Sequence, residues 1–187
     1  MSFDNAKTFI DNLLTDSYAA VNTKNAFAVC LNFIGGEPLM EIDLIDSICE
    51  YFIKSLIELN HPWLYHVRFG ICSNGLLYKT EKVQNFFKKY NNFCSFTISI
   101  DGNKELHDLC RLDLNGKGTY DRAMEAVHLY YNQYGQMPET KMTLAPSNVQ
   151  YTEQALLNLI SEGYERVPFN CVFEPGWTSK HATILYY

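Results

Sequence analysis

Short apolar runs alternate with segments of helical periodicity from one end of this chain to the other, and few folds accommodate that order. Ala6, Phe9, Ile10, Leu13 and Leu14 fall at helical spacing behind Ser2, a suitable N-cap. Ala26 to Ile34 is a nearly continuous apolar run stopped by Gly35-Gly36, which predicts a strand buried on both faces. Ile45, Ile48, Cys49, Phe52 and Leu56 mark one face of a second helix, and Tyr65 to Cys72 reads as a second strand. Thr80 opens a helix carrying Val83, Phe86, Phe87 and Tyr90, and Phe96 to Ile100 is a short strand. A long connection, Asn103 to Gly118, leads to a helix opened by Thr119 with Ala123, Val127 and Tyr130 inward. Lys141 to Leu144 is a strand. Thr152 opens a helix with Leu156, Leu159 and Ile160 inward, closed by Gly163. Phe169 to Phe173 is a strand and Thr178 to Tyr187 a final helix. The order is one helix followed by five βα units. Strands and helices alternating at this spacing predict an α/β fold with a parallel sheet and right-handed crossovers, in a single domain over residues 1–187.

Opening on a helix is unusual for such a fold. The first strand is then an apolar edge with unpaired backbone groups, so edge-strand self-association is an expectation, as is a missing segment before Met1. The formal net charge of −6 and scattered basic residues argue against nucleic-acid binding, since phosphate neutralisation needs clustered Lys and Arg. Lys88-Lys89 is the one adjacent basic pair and reads as a solvated helix face. No apolar run of about twenty residues predicts a membrane span. Met1-Ser2-Phe3-Asp4 has no signal-peptide character, so a cytoplasmic location is expected. Six cysteines occur, at positions 30, 49, 72, 94, 110 and 171. None lies within four residues of another, whereas metal and cluster sites usually include a close pair. They read as mostly buried free thiols, with no metal ligand among them.

Parallel α/β folds bind ligands at the carboxyl ends of their strands. The five endings here are Gly35-Gly36-Glu37-Pro38, Ser73-Asn74-Gly75, Ser99-Ile100-Asp101-Gly102, Thr143-Leu144-Ala145-Pro146 and Asn170 to Glu174. Their recurrence in register predicts one pocket. Paired glycines let a backbone approach a ligand, a carboxylate beside them suits an ammonium group, and Pro38 fixes the exit into the next helix. A tight turn that needs glycine explains the same residues. Ser73-Asn74-Gly75 offers hydroxyl and amide groups, or is a plain Asn-Gly turn. Arg111, in His107-Asp108-x-x-Arg111, suits a carboxylate fork or a surface ion pair.

Together these segments resemble the radical S-adenosylmethionine superfamily. The resemblance is closest to the branch of anaerobic sulfatase-maturing enzymes and SPASM-type peptide maturases. It is carried by Phe33-Ile34-Gly35-Gly36-Glu37-Pro38-Leu39-Met40, Ser73-Asn74-Gly75-Leu76-Leu77-Tyr78, Ile98-Ser99-Ile100-Asp101-Gly102 with His107-Asp108 and Arg111, and Gly118-Thr119-Tyr120-Asp121-Arg122-Ala123. The resemblance implies a partial (β/α) barrel, of which this chain would hold units two to six of six. It implies S-adenosyl-L-methionine and a 4Fe–4S cluster as cofactors, and a peptide or protein substrate modified through a 5′-deoxyadenosyl radical. Gly35, Gly36 and Glu37, with Pro38, would meet the methionyl amino group of S-adenosylmethionine. Ser73 and Asn74 would lie near its ribose or methionyl end, and Ser99 and Asp101 would line the same pocket. Arg111 is a candidate for its carboxylate. Thr143, Asn170 and Glu174 would sit further round the rim. No catalytic residue is singled out.

One departure bears on activity. The Cys-x-x-x-Cys-x-x-Cys that holds the family's cluster does not occur in these residues. The chain therefore reads as a core lacking its first strand, its cluster loop and the C-terminal auxiliary-cluster domain, and is expected to be inactive alone. The alternative is a non-catalytic S-adenosylmethionine- or peptide-binding relative, or an inactive fragment.

Overall fold

The computed structural model describes residues 1–15 and 28–186, which divide into two compact units. The first comprises Met1–Cys72 and Lys79–Ser95, the second Ser73–Tyr78 and Phe96–Tyr187. Ala26 and Phe27, assigned to a strand above, and Tyr187 lie outside the described residues.

In the first unit, helix α1 (Phe3–Thr15) begins as expected. The Ser2 hydroxyl accepts from the Asn5 amide at 3.2 Å, satisfying a donor that has no partner within the helix. Ala6 and Ile10 are buried, while Phe9 stays exposed. Strand β1 (Val29–Phe33) runs parallel to β2 (Val67–Ser73), from Val29 opposite Val67 to Phe33 opposite Ile71. Its burial on both faces is not found. Cys30 and Asn32 are exposed and Val29, Leu31 and Phe33 only half-buried, because among the described strands β1 has β2 alone as neighbour. Helix α2 (Ile42–Glu58) buries Ile45, Ile48, Cys49, Phe52 and Leu56, the predicted stripe. Helix α3 (Glu81–Lys89) buries Val83, Phe86 and Phe87. Tyr90 meets Phe69 of β2 edge-to-face at 5.5 Å. Lys88 and Lys89 are both exposed, as expected of a solvated helix face, and the Lys89 ammonium also bonds Asp46 at 2.7 Å and Glu50 at 2.5 Å, tying α3 to α2.

The second unit takes β3 (Cys94–Ser99) from Phe96 onward, β4 (Glu139–Leu144) and β5 (Phe169–Cys171), paired in parallel in that order. Phe96, Ile98, Thr140, Met142 and Leu144 are buried. Phe96 stacks on Tyr78 at 5.0 Å and lies 5.6 Å from Tyr130 of helix α5 (Tyr120–Tyr134), whose Ala123, Val127 and Tyr130 are buried as predicted. Asn103 to Gly118 is not a plain connection. Asn103 accepts from the Leu106 amide at 3.0 Å and caps helix α4 (Lys104–Cys110), and Leu112 then bridges to Gly118. Seven residues are too few to display a period. Helix α6 (Thr152–Ser161) buries Ala155 and Leu159 rather than Ile160, which is exposed. Strand β5 stops at Cys171, leaving Phe173 exposed, and helix α7 (Ser179–Tyr186) ends the described chain.

Of the six thiols only Cys49 is buried, so the expectation of mostly buried cysteines fails. Cys30 and Cys110 are exposed and the other three half-buried. No described helix is long and apolar enough to cross a membrane.

Candidate functional site

The carboxyl end of β1 runs straight into Gly35-Gly36-Glu37-Pro38. Gly35 and Gly36 both take left-handed backbone angles, with φ of 95° and 51°. A side chain there would be strained by about 1–2 kcal/mol per residue. No atom lies within 4 Å of where a Cβ would stand at either glycine. Backbone conformation therefore demands glycine here, and the space beside it is open. The Glu37 carboxylate accepts from the Leu39 amide at 3.0 Å and caps the 3₁₀ turn Pro38–Glu41, with Pro38 buried in its first position. These residues line a cavity of about 660 Å³ whose apolar walls include Phe9, Ile10, Leu31 and Met40. That volume suits a small-molecule site, which typically encloses about 300–1,000 Å³. The tight turn and the rim of this cavity are the same structure.

In the second unit the Ser73 hydroxyl accepts from the Gly75 amide at 2.9 Å, and the Asn74 side chain accepts from the Leu76 amide at 2.9 Å. Local turn chemistry explains both residues. Gly75 has φ of 79°, and a Cβ on it would stand 3.1 Å from Ile98. Ser99, the last residue of β3, is half-buried.

Asp101 and Arg111 point at each other. Arg111 donates from Nε to one Asp101 oxygen at 2.5 Å and from Nη2 to the other at 3.1 Å, the fork geometry that planar guanidinium favours. Asp101 also accepts from the Thr143 amide at 2.8 Å, and Arg111 Nη2 donates to the Thr143 hydroxyl at 3.1 Å. The aspartate side chain is almost fully buried, the arginine about one-quarter exposed. Neither a free fork nor a solvated surface pair describes it.

Behind this pair sits His107, 1% exposed. Its Nδ1 accepts from the Asp101 amide at 3.3 Å, and its Nε2 lies 3.1 Å from the Thr119 hydroxyl, which donates to the Arg111 carbonyl at 2.9 Å. That pattern fixes a neutral imidazole protonated on Nε2. Burial, with the Arg111 cation nearby, pushes its pKa down to about 4, against the opposing pull of Asp101 and Asp108. Asp108 accepts from the Tyr120 amide at 2.9 Å and so caps α5 from twelve residues away. His-Asp-x-x-Arg and Gly118-Thr119-Tyr120, separate in sequence, are one hydrogen-bonded knot. Thr119, expected to open a helix, and Thr143, expected further round the rim, are both members of the knot through their hydroxyl or amide groups. Asn170 and Glu174 are exposed.

Among the described residues no three His, Cys, Asp or Glu side chains gather as metal ligands. A cluster needs thiolates. Burial holds the Cys49 thiol far above its usual range and pushes Cys94 up to about 12. Among the described residues the six cysteines do not gather as the thiolate set an iron–sulfur cluster needs.

No protein-family profile matches the chain. It is 38% identical over 103 residues to a cysteine-type anaerobic sulfatase-maturating enzyme of Clostridium novyi, covering 54% of this chain and 25% of that protein. It is 29% identical over 173 residues to an uncharacterised protein of Methanocaldococcus jannaschii, covering 91% of this chain and 52% of that one. Among solved structures, native anSMEcpe with bound AdoMet superposes at a TM-score of 0.70 and 18% identity, over 96% of this chain and 47% of that chain. The same protein with bound AdoMet and Kp18Cys peptide gives 0.66 and 18%, over 92% and 43%. The likeness shows the fold, the α/β part-barrel type expected from the sequence. The chain spans about a quarter and about half the length of the two curated relatives.

Proposed function

We propose that this chain is a radical S-adenosylmethionine core related to the anaerobic sulfatase-maturating enzymes, which binds S-adenosylmethionine and serves the modification of a peptide or protein. The observation that carries this reading is the rim at the end of β1. Two consecutive left-handed glycines leave backbone groups open to a cavity of ligand size, with a carboxylate at their side. An ammonium group placed there would meet Glu37 and the carbonyls of the Gly35-Gly36 turn, the donor–acceptor match for an amino-acid head. Structures of anSMEcpe hold AdoMet, and two of them also hold a peptide, which supports both parts of the reading. For Ser73, Asn74, Ser99, Asp101 and Arg111, all of the second unit, the role proposed is support within that unit. The first two act through the turn they brace. Asp101 and Arg111 act as a pair that holds the end of β3.

The test is equilibrium dialysis of labelled S-adenosylmethionine against the folded chain. Saturable binding is expected, weakened at least tenfold by Gly36→Val at unchanged folded content. Equal binding by the variant would remove this rim from the site.

A second reading rests on the missing Cys-x-x-x-Cys-x-x-Cys. Without cluster ligands of its own the chain binds the cofactor and does not cleave it. After anaerobic reconstitution with iron and sulfide, no 5′-deoxyadenosine above a protein-free control is expected. Its formation would eliminate the non-catalytic reading.

A further inference from the structure

Strand β4 alternates strictly. Thr140, Met142 and Leu144 are buried, while Glu139, Lys141 and Thr143 turn to the opposite face. Lys141 sits in direct register with Ser99 of β3, and Thr143 with Asn170 of β5. Partners in register share a sheet face, so Ser99 and Lys141 lie side by side on two neighbouring strands, with Asn170 on the third. With its amide oriented to satisfy both of its polar ends, Asn170 accepts from the Lys141 ammonium at 2.9 Å and donates to the Phe169 carbonyl at 3.0 Å. Glu139, on the same face of β4, and Asp101, two residues beyond Ser99, are already engaged. Glu139 accepts from the Thr97 hydroxyl at 3.0 Å, and Asp101 is filled by Arg111 and the Thr143 amide.

Lys141 is half-buried, and among the described residues it forms no ion pair. The other lysines tied to acids, such as Lys82 and Lys104, pair at exposed positions on helices. A half-buried ammonium whose nearest bonded neighbour is a neutral amide oxygen retains most of its capacity to donate. It stands on the strand face that carries Ser99, Thr143 and Asn170, where a bound anion would be less screened than in bulk water.

We propose that Lys141 binds a carboxylate of a ligand on this strand face, with Ser99 and Asn170 as its neutral neighbours. The inference rests on the proposed function only in taking the face as ligand-bearing. Two sources share the chemistry: an acidic or C-terminal group of a peptide, and the carboxylate of S-adenosylmethionine itself.

The test uses the whole chain with its lysines reductively dimethylated by ¹³C-formaldehyde, a modification that keeps their charge. The Lys141 resonance is the one absent from Lys141→Arg. Three probes are titrated: acetate, N-acetyl-aspartate amide and S-adenosylmethionine. We expect a saturable shift of the Lys141 resonance with acetate, at a concentration at least tenfold below any that moves exposed Lys54. A further shift at lower concentration with S-adenosylmethionine alone assigns the carboxylate to the cofactor. One with N-acetyl-aspartate amide alone assigns it to a peptide. Either supports the inference, as does a response to both. A Lys141 resonance that tracks Lys54 with all three probes overturns it. Failure of the cofactor site is read separately, because acetate and N-acetyl-aspartate amide probe Lys141 without S-adenosylmethionine, while the Gly36→Val dialysis probes the rim after β1.

Discussion

The imidazole of His107 takes a hydrogen bond on Nδ1 from the backbone amide of Asp101 and reaches the Thr119 hydroxyl with Nε2. One buried ring thus joins the end of β3 to the start of α5. Only a neutral ring with its proton on Nε2 fits both contacts, since a protonated Nδ1 would face an N–H with another N–H. The histidine of His-Asp-x-x-Arg is therefore a brace for the loop that carries Asp101.

Stability should fall in mild acid for this reason. His107 titrates near pH 4 in the folded chain and at its ordinary 6.5 when unfolded. Between those values the unfolded chain binds a proton that the folded chain refuses. Folding is fully supported above pH 6.5 and loses ground as pH falls from there to 4, by up to about 3 kcal/mol. Urea denaturation from pH 7.5 to 4.5 should show the decline, and His107→Gln should flatten it. A wild-type curve level across that window would contradict the buried neutral ring.

Gly118→Ala should be more disruptive than an ordinary loop substitution. A Cβ on Gly118 would stand 2.2 Å from the Asp108 carboxylate, which caps α5 through the Tyr120 amide. The carboxylate has to leave, and loss of an N-cap costs about 0.5–2 kcal/mol. Asp108→Asn should cost less, since the amide oxygen still accepts. Thermal melts of the two variants should rank them in that order, and a Gly118→Ala chain as stable as wild type would disprove the cap.

Helix faces with a sustained period were legible before any coordinates. Ile45 to Leu56 and Ala123 to Tyr130 bury the residues their spacing marks. Short elements were not. Helix α4 spans two turns and carries its signal in the Asn103 cap rather than in a stripe. The burial of β1 differs from the expectation because an apolar run reports hydrophobicity, while burial depends on neighbours, which among the described strands β1 has on one side only. At the site, the glycines of β1 were found through the conformations only glycine adopts readily. The knot around His107 was not, because it joins residues 6 to 42 positions apart through side-chain and backbone polar groups, and no linear pattern encodes that.

Arg111 and Asp101 supply the sharpest division between holding the fold and holding a ligand. The aspartate is buried and its oxygens are met by Arg111 and the Thr143 amide. Arg111→Met leaves that carboxylate buried with its cation gone, and breaking such a pair from one side typically costs about 3–5 kcal/mol. Asp101→Asn removes the charge but keeps an acceptor for Thr143, so it should cost less. The double variant should be more stable than the sum of the two, because neither partner is then left as an unpaired charge. Denaturant midpoints of the three chains measure this directly. If Arg111 instead served a ligand carboxylate as its main partner, Arg111→Met would weaken S-adenosylmethionine binding while leaving the midpoint near wild type. The geometry predicts the reverse order, a large loss of stability first. Arg111→Lys should recover only part of it, since an ammonium cannot supply the two parallel donors that the guanidinium gives Asp101.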